Sequence, residues 1–79
     1  MAWFTYALRS QKDGGLYIGM ASNVERRLGE HNRGYNRSTK SRLPFRLIYV
    51  RRFESRQQAR EHEKFLKTGK GREVLRQVP

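Results

Sequence analysis

Hydrophobic positions change their spacing several times along the chain, and each change marks the edge of an element. Trp3-Phe4-Thr5-Tyr6-Ala7-Leu8 is dense in aromatic and β-favouring residues, Lys12-Asp13-Gly14-Gly15 carries turn chemistry, and Leu16-Tyr17-Ile18-Gly19 resumes the strand pattern. This predicts an antiparallel hairpin, because Asp-Gly and Gly-Gly tolerate positive φ, and it sets Tyr6 and Tyr17 in neighbouring rows of one sheet. Ser22 or Asn23 is placed to cap a following helix. There Val24 and Leu28, spaced i,i+4, point inward, Glu25, Arg26, Glu30 and Asn32 fall on other faces, and Gly34 ends the helix. Residues 35–44 read as a polar loop that cannot build core. From Phe45, the run Leu47-Ile48-Tyr49-Val50 with Phe53 has strand length and is expected as the central or adjoining strand of the same sheet. Ser55 opens a second helix, with Gln58 completing a capping box, a buried stripe of Ala59, His62 and Leu66, and Phe65 at its edge. Gly69 and Gly71 are expected to break it. Glu73-Val74-Leu75-Arg76 then adds a last helical turn or two, anchored by Val74 and Leu75 and released at Pro79.

Size and charge narrow the picture. Residues 1–79 suffice for one domain, and with 35% hydrophobic residues the core must be used economically. The absence of cysteine removes disulfide staples and thiolate zinc sites, so stability rests on packing. The first residues interrupt their apolar run with polar positions, and no apolar stretch reaches the roughly 20 residues of a membrane span. The expectation is a soluble cytoplasmic protein with no membrane association and no evident obligate protein partner. Eighteen Lys and Arg against seven Asp and Glu leave a formal charge of +11, which calls for a polyanionic partner. The basic residues run through strands, loops and helices alike, which favours nucleic acid over a membrane surface, where one basic amphipathic helix is expected. A ribosome-associated role would rest on charge alone.

Several landmarks then combine. Phe4-Thr5-Tyr6 and Tyr17-Ile18-Gly19 stand where the GIY-YIG nuclease family carries its two naming motifs. Asn23-Val24-Glu25-Arg26-Arg27-Leu28, Glu30-His31-Asn32, Ser38-Thr39-Lys40, Pro44-Phe45 and the stretch from Glu54-Ser55 to Lys67-Thr68-Gly69 follow in order. Over nearly its whole length the chain resembles the small bacterial members of that family. The resemblance implies an α+β fold, a central three-stranded antiparallel sheet flanked by helices, and the element order above agrees with it. It also implies an endonuclease that hydrolyses nucleic-acid phosphodiesters, DNA being the expected substrate, with a divalent cation, Mg²⁺ or Mn²⁺, as cofactor. Carried over from the family, Tyr17 is the general base or its partner, Arg27 contacts the scissile phosphate and Glu63 holds the metal. The first motif departs from the family pattern at Phe4 and Thr5, and Met20 stands where some relatives carry lysine.

The chemistry asks for these residue types. Charge gathering on a phosphoryl transition state needs fixed positive groups, and a guanidinium grips two phosphate oxygens while staying charged. Mg²⁺ prefers oxygen ligands and keeps several waters, so one carboxylate is a sufficient anchor. Tyr6 or Tyr17 can take a proton from water only if nearby cations lower a phenol pKa of about 10, and the basic surroundings are expected to do so. Each residue also has a plainer reading. The tyrosines can pack half-buried with wet hydroxyls, Arg27 can be a solvated helix charge, and Glu63 can pair with Lys67 at i,i+4. His31 can bind phosphate, assist proton transfer or cap its helix, whereas His62 reads as a structural histidine. Gly19 allows either close approach of the backbone to substrate or a bend at the strand end. Arg37, Lys40 and Arg42 in the polar loop are expected phosphate contacts. The alternative to an enzyme is a nucleic-acid-binding module that keeps the fold and charge without turnover.

Overall fold

The protein is described by a computed structural model covering residues 1–37 and 39–78. Ser38 of the loop motif and the chain end at Pro79 lie outside the described residues. Strand β1 (Trp3–Ser10) turns through Gly14, at φ 74°, into β2 (Leu16–Ala21), and both precede helix α1 (Val24–Asn32). A single 3₁₀ turn at Lys40–Arg42 leads into β3 (Phe45–Phe53), followed by α2 (Arg56–Leu66) and α3 (Gly69–Arg76). The sheet has three strands in the order β2-β1-β3, antiparallel throughout, so the first strand of the chain is central.

Side chains along β1 alternate between two covered faces, as the period of a strand requires. Tyr6 and Leu8 join Ala21 and Phe45 on one face, packed by Val24 and Leu28 of α1. Ala7 joins Ile18 on the other, covered by Leu66 of α2 and Leu75 of α3. Two polar anchors fix the helices against the sheet. Asn32 pairs with the Phe45 backbone in both directions, accepting from its N–H at 2.8 Å and donating to its C=O at 3.1 Å. Buried Thr5 donates to the Ala59 carbonyl in α2 at 2.7 Å.

The expected caps form. Asn23 accepts from Arg26 N–H, and Ser55 accepts from Gln58 N–H. Gln58 itself reaches back to the N–H of Glu54, one residue beyond the usual capping-box partner. Gly34, at φ 79°, follows the end of α1 as expected. Near the C-terminus the structure corrects the sequence reading. Gly69 and Gly71 do not stand between helices; they lie inside α3, which starts at the Thr68 cap. A Cβ at Gly71 would overlap the Phe65 carbonyl and the Leu66 backbone, so this glycine is a contact surface on which α3 rests against α2. Of the two apolar anchors expected there, Leu75 is buried and Val74 is 47% exposed. Among the described residues no helix is long and apolar enough to cross a membrane.

The tight α2 to α3 contact yields a first prediction. Gly71→Ala forces the two backbones apart and costs about 2 kcal/mol, as overpacking does. For a domain of this size that lowers the thermal midpoint by about 10 °C, whereas Gly69→Ala, with open space around its Cα, leaves the midpoint unchanged or higher.

Candidate active site

The phenol of Tyr6 is the meeting point. Tyr6 is the middle of the central strand, paired in register with Gly19 on β2 and Val50 on β3, and only 1% exposed. A side chain at Gly19 would meet the Tyr6 hydroxyl oxygen at 2.8 Å and the ring carbon bearing it at 2.9 Å. Glycine here makes room for a buried phenol, a more specific role than the bend or backbone approach read from sequence.

Around that phenol α1 and β2 supply the rest. His31, fully buried at the last turn of α1, places Nε2 3.4 Å from the Tyr6 oxygen and Nδ1 3.0 Å from the Thr39 hydroxyl. The Tyr17 ring lies edge-on to His31 with centroids 4.6 Å apart, and 6.4 Å from the Tyr6 ring. Among the described residues nothing hydrogen-bonds the Tyr17 hydroxyl. Arg27, one turn before His31, sets its guanidinium beside the Tyr6 phenol, and that proximity raises the arginine pKa. Its Nη1 also donates to Glu30 at 3.0 Å, while Arg26 donates to the other Glu30 oxygen at 3.2 Å.

The protonation states follow from this geometry. Burial pushes the Tyr6 phenol above its usual value, and the proximity of Tyr17 adds to that. Arg27 pulls the other way without prevailing, and the Glu63 charge raises the pKa further. The expectation that surrounding cations lower this phenol is therefore overturned for Tyr6, because removal from water outweighs one guanidinium. Burial likewise lowers the His31 pKa, with Arg27 adding to the effect and Glu30 opposing it. A neutral, buried His31 is a hydrogen-bonding ring, which excludes the cationic helix cap considered from sequence.

Glu63 approaches from α2 as a charge felt at Tyr6. Its carboxylate is 19% exposed and accepts from Lys67 at 3.0 Å. Among the described residues no group of three His, Asp or Glu side chains is arranged to hold a metal ion. Any cation here would therefore rely on this one carboxylate, substrate oxygens and water, a donor set that suits Mg²⁺ or Mn²⁺. Lys67, exposed and singly bonded, is a displaceable competitor.

The expected phosphate-binding residues do not gather in one place. Arg37 lines a cavity of about 340 Å³ with Arg27, Glu30, His31, Tyr35 and Asn36. Met20 lines a neighbouring groove of about 320 Å³ with Trp3, Asn23, Arg26, Arg27 and Glu30. Lys40 is exposed on the 3₁₀ turn, outside both. Arg42 belongs to the hairpin: it pairs with Asp13 at 3.3 Å, donates to the Leu16 carbonyl and lies over the Phe45 ring. Sequence reasoning missed Thr39, which is fully buried, and Glu30 as the shared partner of two arginines. The i,i+3 and i,i+4 spacing of Glu30 from Arg27 and Arg26 carried that second signal.

The GIY-YIG catalytic domain family matches residues 2–75. The chain belongs to the GIY-YIG family. Its relatives include the UPF0213 proteins of Nitratidesulfovibrio vulgaris, 45% identical over 77% of this chain and 56% of the relative, and of Streptococcus pneumoniae, 42% identical over 75% and 61%. The chain thus spans about three fifths of the length of these two relatives. The solution NMR structure of a UPF0213 protein from Bacillus halodurans is 32% identical, with a TM-score of 0.57 over 95% of this chain and 82% of that one. GIY-YIG domains are typical of endonucleases.

The two histidines of this GIY-YIG domain make its stability depend on pH. Burial is the main cause lowering the pKa of both His31 and His62. The unfolded chain, with histidines near pKa 6.5, binds protons that the folded chain refuses, so their contribution is present above that value and lost as pH falls through it toward the folded pKa values. Urea unfolding is expected to give a lower midpoint at pH 5.5 than at pH 7.5, with a smaller but persisting difference in His62→Gln. Equal midpoints in the unaltered protein would show that neither ring is held neutral.

Proposed function

We propose that the protein is a divalent-metal-dependent endonuclease that hydrolyses nucleic-acid phosphodiesters, with DNA as its substrate. What supports this reading most is the convergence on one buried phenol of a guanidinium, a neutral imidazole, a second tyrosine with an uncommitted hydroxyl and the charge of a carboxylate from another helix. Membership of a family typical of endonucleases points the same way.

In this reading Arg27 receives the scissile phosphate. Its guanidinium is held between Tyr6 and Glu30 yet its side chain remains 42% exposed, so it is oriented before substrate arrives and needs little reorganisation as charge develops. Tyr17 is the general base, since its hydroxyl is free to take a water. Tyr6, protonated and bonded, orients Arg27 rather than accepting a proton. Glu63 would hold the cation, in place of its present partner Lys67. Bound there, Mg²⁺ or Mn²⁺ would supply Lewis-acid charge to a phosphate oxygen. Arg37 extends the basic surface along the adjoining cavity, and phosphate contacts of this kind position a strand without reading bases.

A binding module without turnover is the second reading, favoured by the Glu63 to Lys67 pair and by Met20 in the groove beside Arg27. A cleavage assay on branched, single-stranded and duplex DNA with Mg²⁺ or Mn²⁺ decides between them. Arg27→Ala and Glu63→Gln are each expected to lose on the order of 10²–10³ in cleavage rate, while affinity for uncleaved DNA falls less than about ten-fold. Gly19→Ala, which displaces the Tyr6 hydroxyl, lowers cleavage with binding retained. Binding by the unaltered protein with no cleavage under either metal would establish the module instead.

A further inference from the structure

We infer that Thr39 is a positioning residue of the candidate centre: its hydroxyl locks the His31 ring in the tautomer that carries hydrogen on Nδ1, and thereby fixes the direction of the Tyr6 phenol. The functional part of this inference rests on reading Tyr6, Arg27 and His31 as members of one catalytic group.

Three hydrogens must be shared among these groups. Thr39 Oγ1 lies 3.0 Å from His31 Nδ1 and 3.3 Å from the Asn36 carbonyl, and His31 Nε2 lies 3.4 Å from the Tyr6 oxygen. A neutral imidazole has one donor and one acceptor nitrogen, a hydroxyl has one hydrogen, and a carbonyl only accepts. In one arrangement Thr39 donates to Asn36, His31 Nδ1–H donates to Thr39, and Tyr6 O–H donates to the bare Nε2. In the other, Thr39 donates to Nδ1 and Nε2–H donates to the Tyr6 oxygen. Among the described residues the Tyr6 hydroxyl has no hydrogen-bond acceptor besides the His31 ring, so the second arrangement leaves the phenol hydrogen stranded in a site 1% exposed. The first arrangement alone gives each of the three hydrogens an acceptor.

Donors then run in one direction, from Tyr6 to His31, to Thr39 and to the carbonyl of Asn36. The chain ends on backbone, so the loop after α1 fixes the phenol beside which the Arg27 guanidinium sits. The groups facing His31 are Tyr6 from β1, Tyr17 from β2, Arg27 and Glu30 from its own helix, the apolar Phe45 ring from β3, and Thr39. Among the described residues no carboxylate bonds the ring, so its tautomer is held from both sides by hydroxyls: Tyr6 donates at Nε2, and Thr39, its own hydrogen given to the Asn36 carbonyl, supplies the acceptor that keeps hydrogen on Nδ1.

The test is ¹⁵N NMR of the His31 ring in the full chain, without metal or DNA, read beside the cleavage pH profile. The unaltered protein is expected to show a pyrrole-like Nδ1 and a pyridine-like Nε2. Thr39→Val, which keeps the shape and deletes the hydroxyl, is expected to shift the ring toward hydrogen on Nε2, to lower cleavage by about ten-fold and to move the acid limb of the pH profile. Thr39→Ser restores all three. Hydrogen on Nε2 in the unaltered protein would overturn the inference whether or not the valine variant folds, and so would an unchanged tautomer in that variant. Because the ring is observed without substrate, a protein that never cleaves would count against the nuclease reading alone.

Discussion

A phenol taken out of water at the centre of the sheet constrains most of what surrounds it. Tyr6 occupies the middle strand and is almost wholly buried, and a buried hydroxyl without partners offsets much of what the packing of its ring returns. Its oxygen must therefore be met by polar groups, and its bulk must be given space. Gly19 across the strand pair supplies the space, His31 supplies the hydrogen-bond partner, and Arg27 from the same helix sets its charge beside them. The same burial keeps the phenol protonated and the imidazole neutral. Packing and chemistry are here one requirement: the groups that make the core tolerable also seat the Arg27 guanidinium that is proposed to receive a phosphate.

The rest of the fold delivers these groups to one point from two sides. Helix α1 lies on the Tyr6 face and is pinned to β3 by the two Asn32 hydrogen bonds. Helix α2 lies on the opposite face, tied to β1 through Thr5, and still brings the Glu63 charge within electrostatic reach of the phenol. Positive and negative groups thus arrive on separate elements, so the candidate phosphate grip and the candidate metal anchor do not neutralise each other. Glu30 and Lys67 take up their charges instead.

Much of this was legible in the residues because it depends on local rules. Turn chemistry at Asp13-Gly14, caps at Asn23 and Ser55, and the inward pair Val24 and Leu28 each follow from neighbours a few positions away. The family resemblance supplied the arginine and carboxylate as candidates, which spacing alone would have left as solvated charges. What stayed hidden depends on contacts between distant segments. Gly71 reads as a helix breaker until the Phe65 carbonyl is seen beneath it, and Val74 and Leu75 are equally apolar although one helix face is covered. Thr39 looks like loop filler among polar neighbours, since nothing in sequence says that Gly34 folds the chain back over His31. Arg42 looks like a phosphate ligand for the same reason, while in space it serves Asp13 and the hairpin. The sign of the Tyr6 shift was also beyond composition, because it turns on burial rather than on the number of nearby cations.

The central claim is spatial: Glu63 and the phenol group belong to one centre that receives a divalent cation. Paramagnetic line broadening by Mn²⁺ in a ¹H–¹⁵N spectrum of the full chain tests it directly. The account predicts early, selective loss of the amide signals of Glu63, Gly19 and Tyr6, with the amides of the Gly14 turn and of Glu73 persisting to much higher Mn²⁺. Broadening centred on Asp13, Glu54 or Glu73, with Glu63 and Tyr6 unaffected, would contradict it.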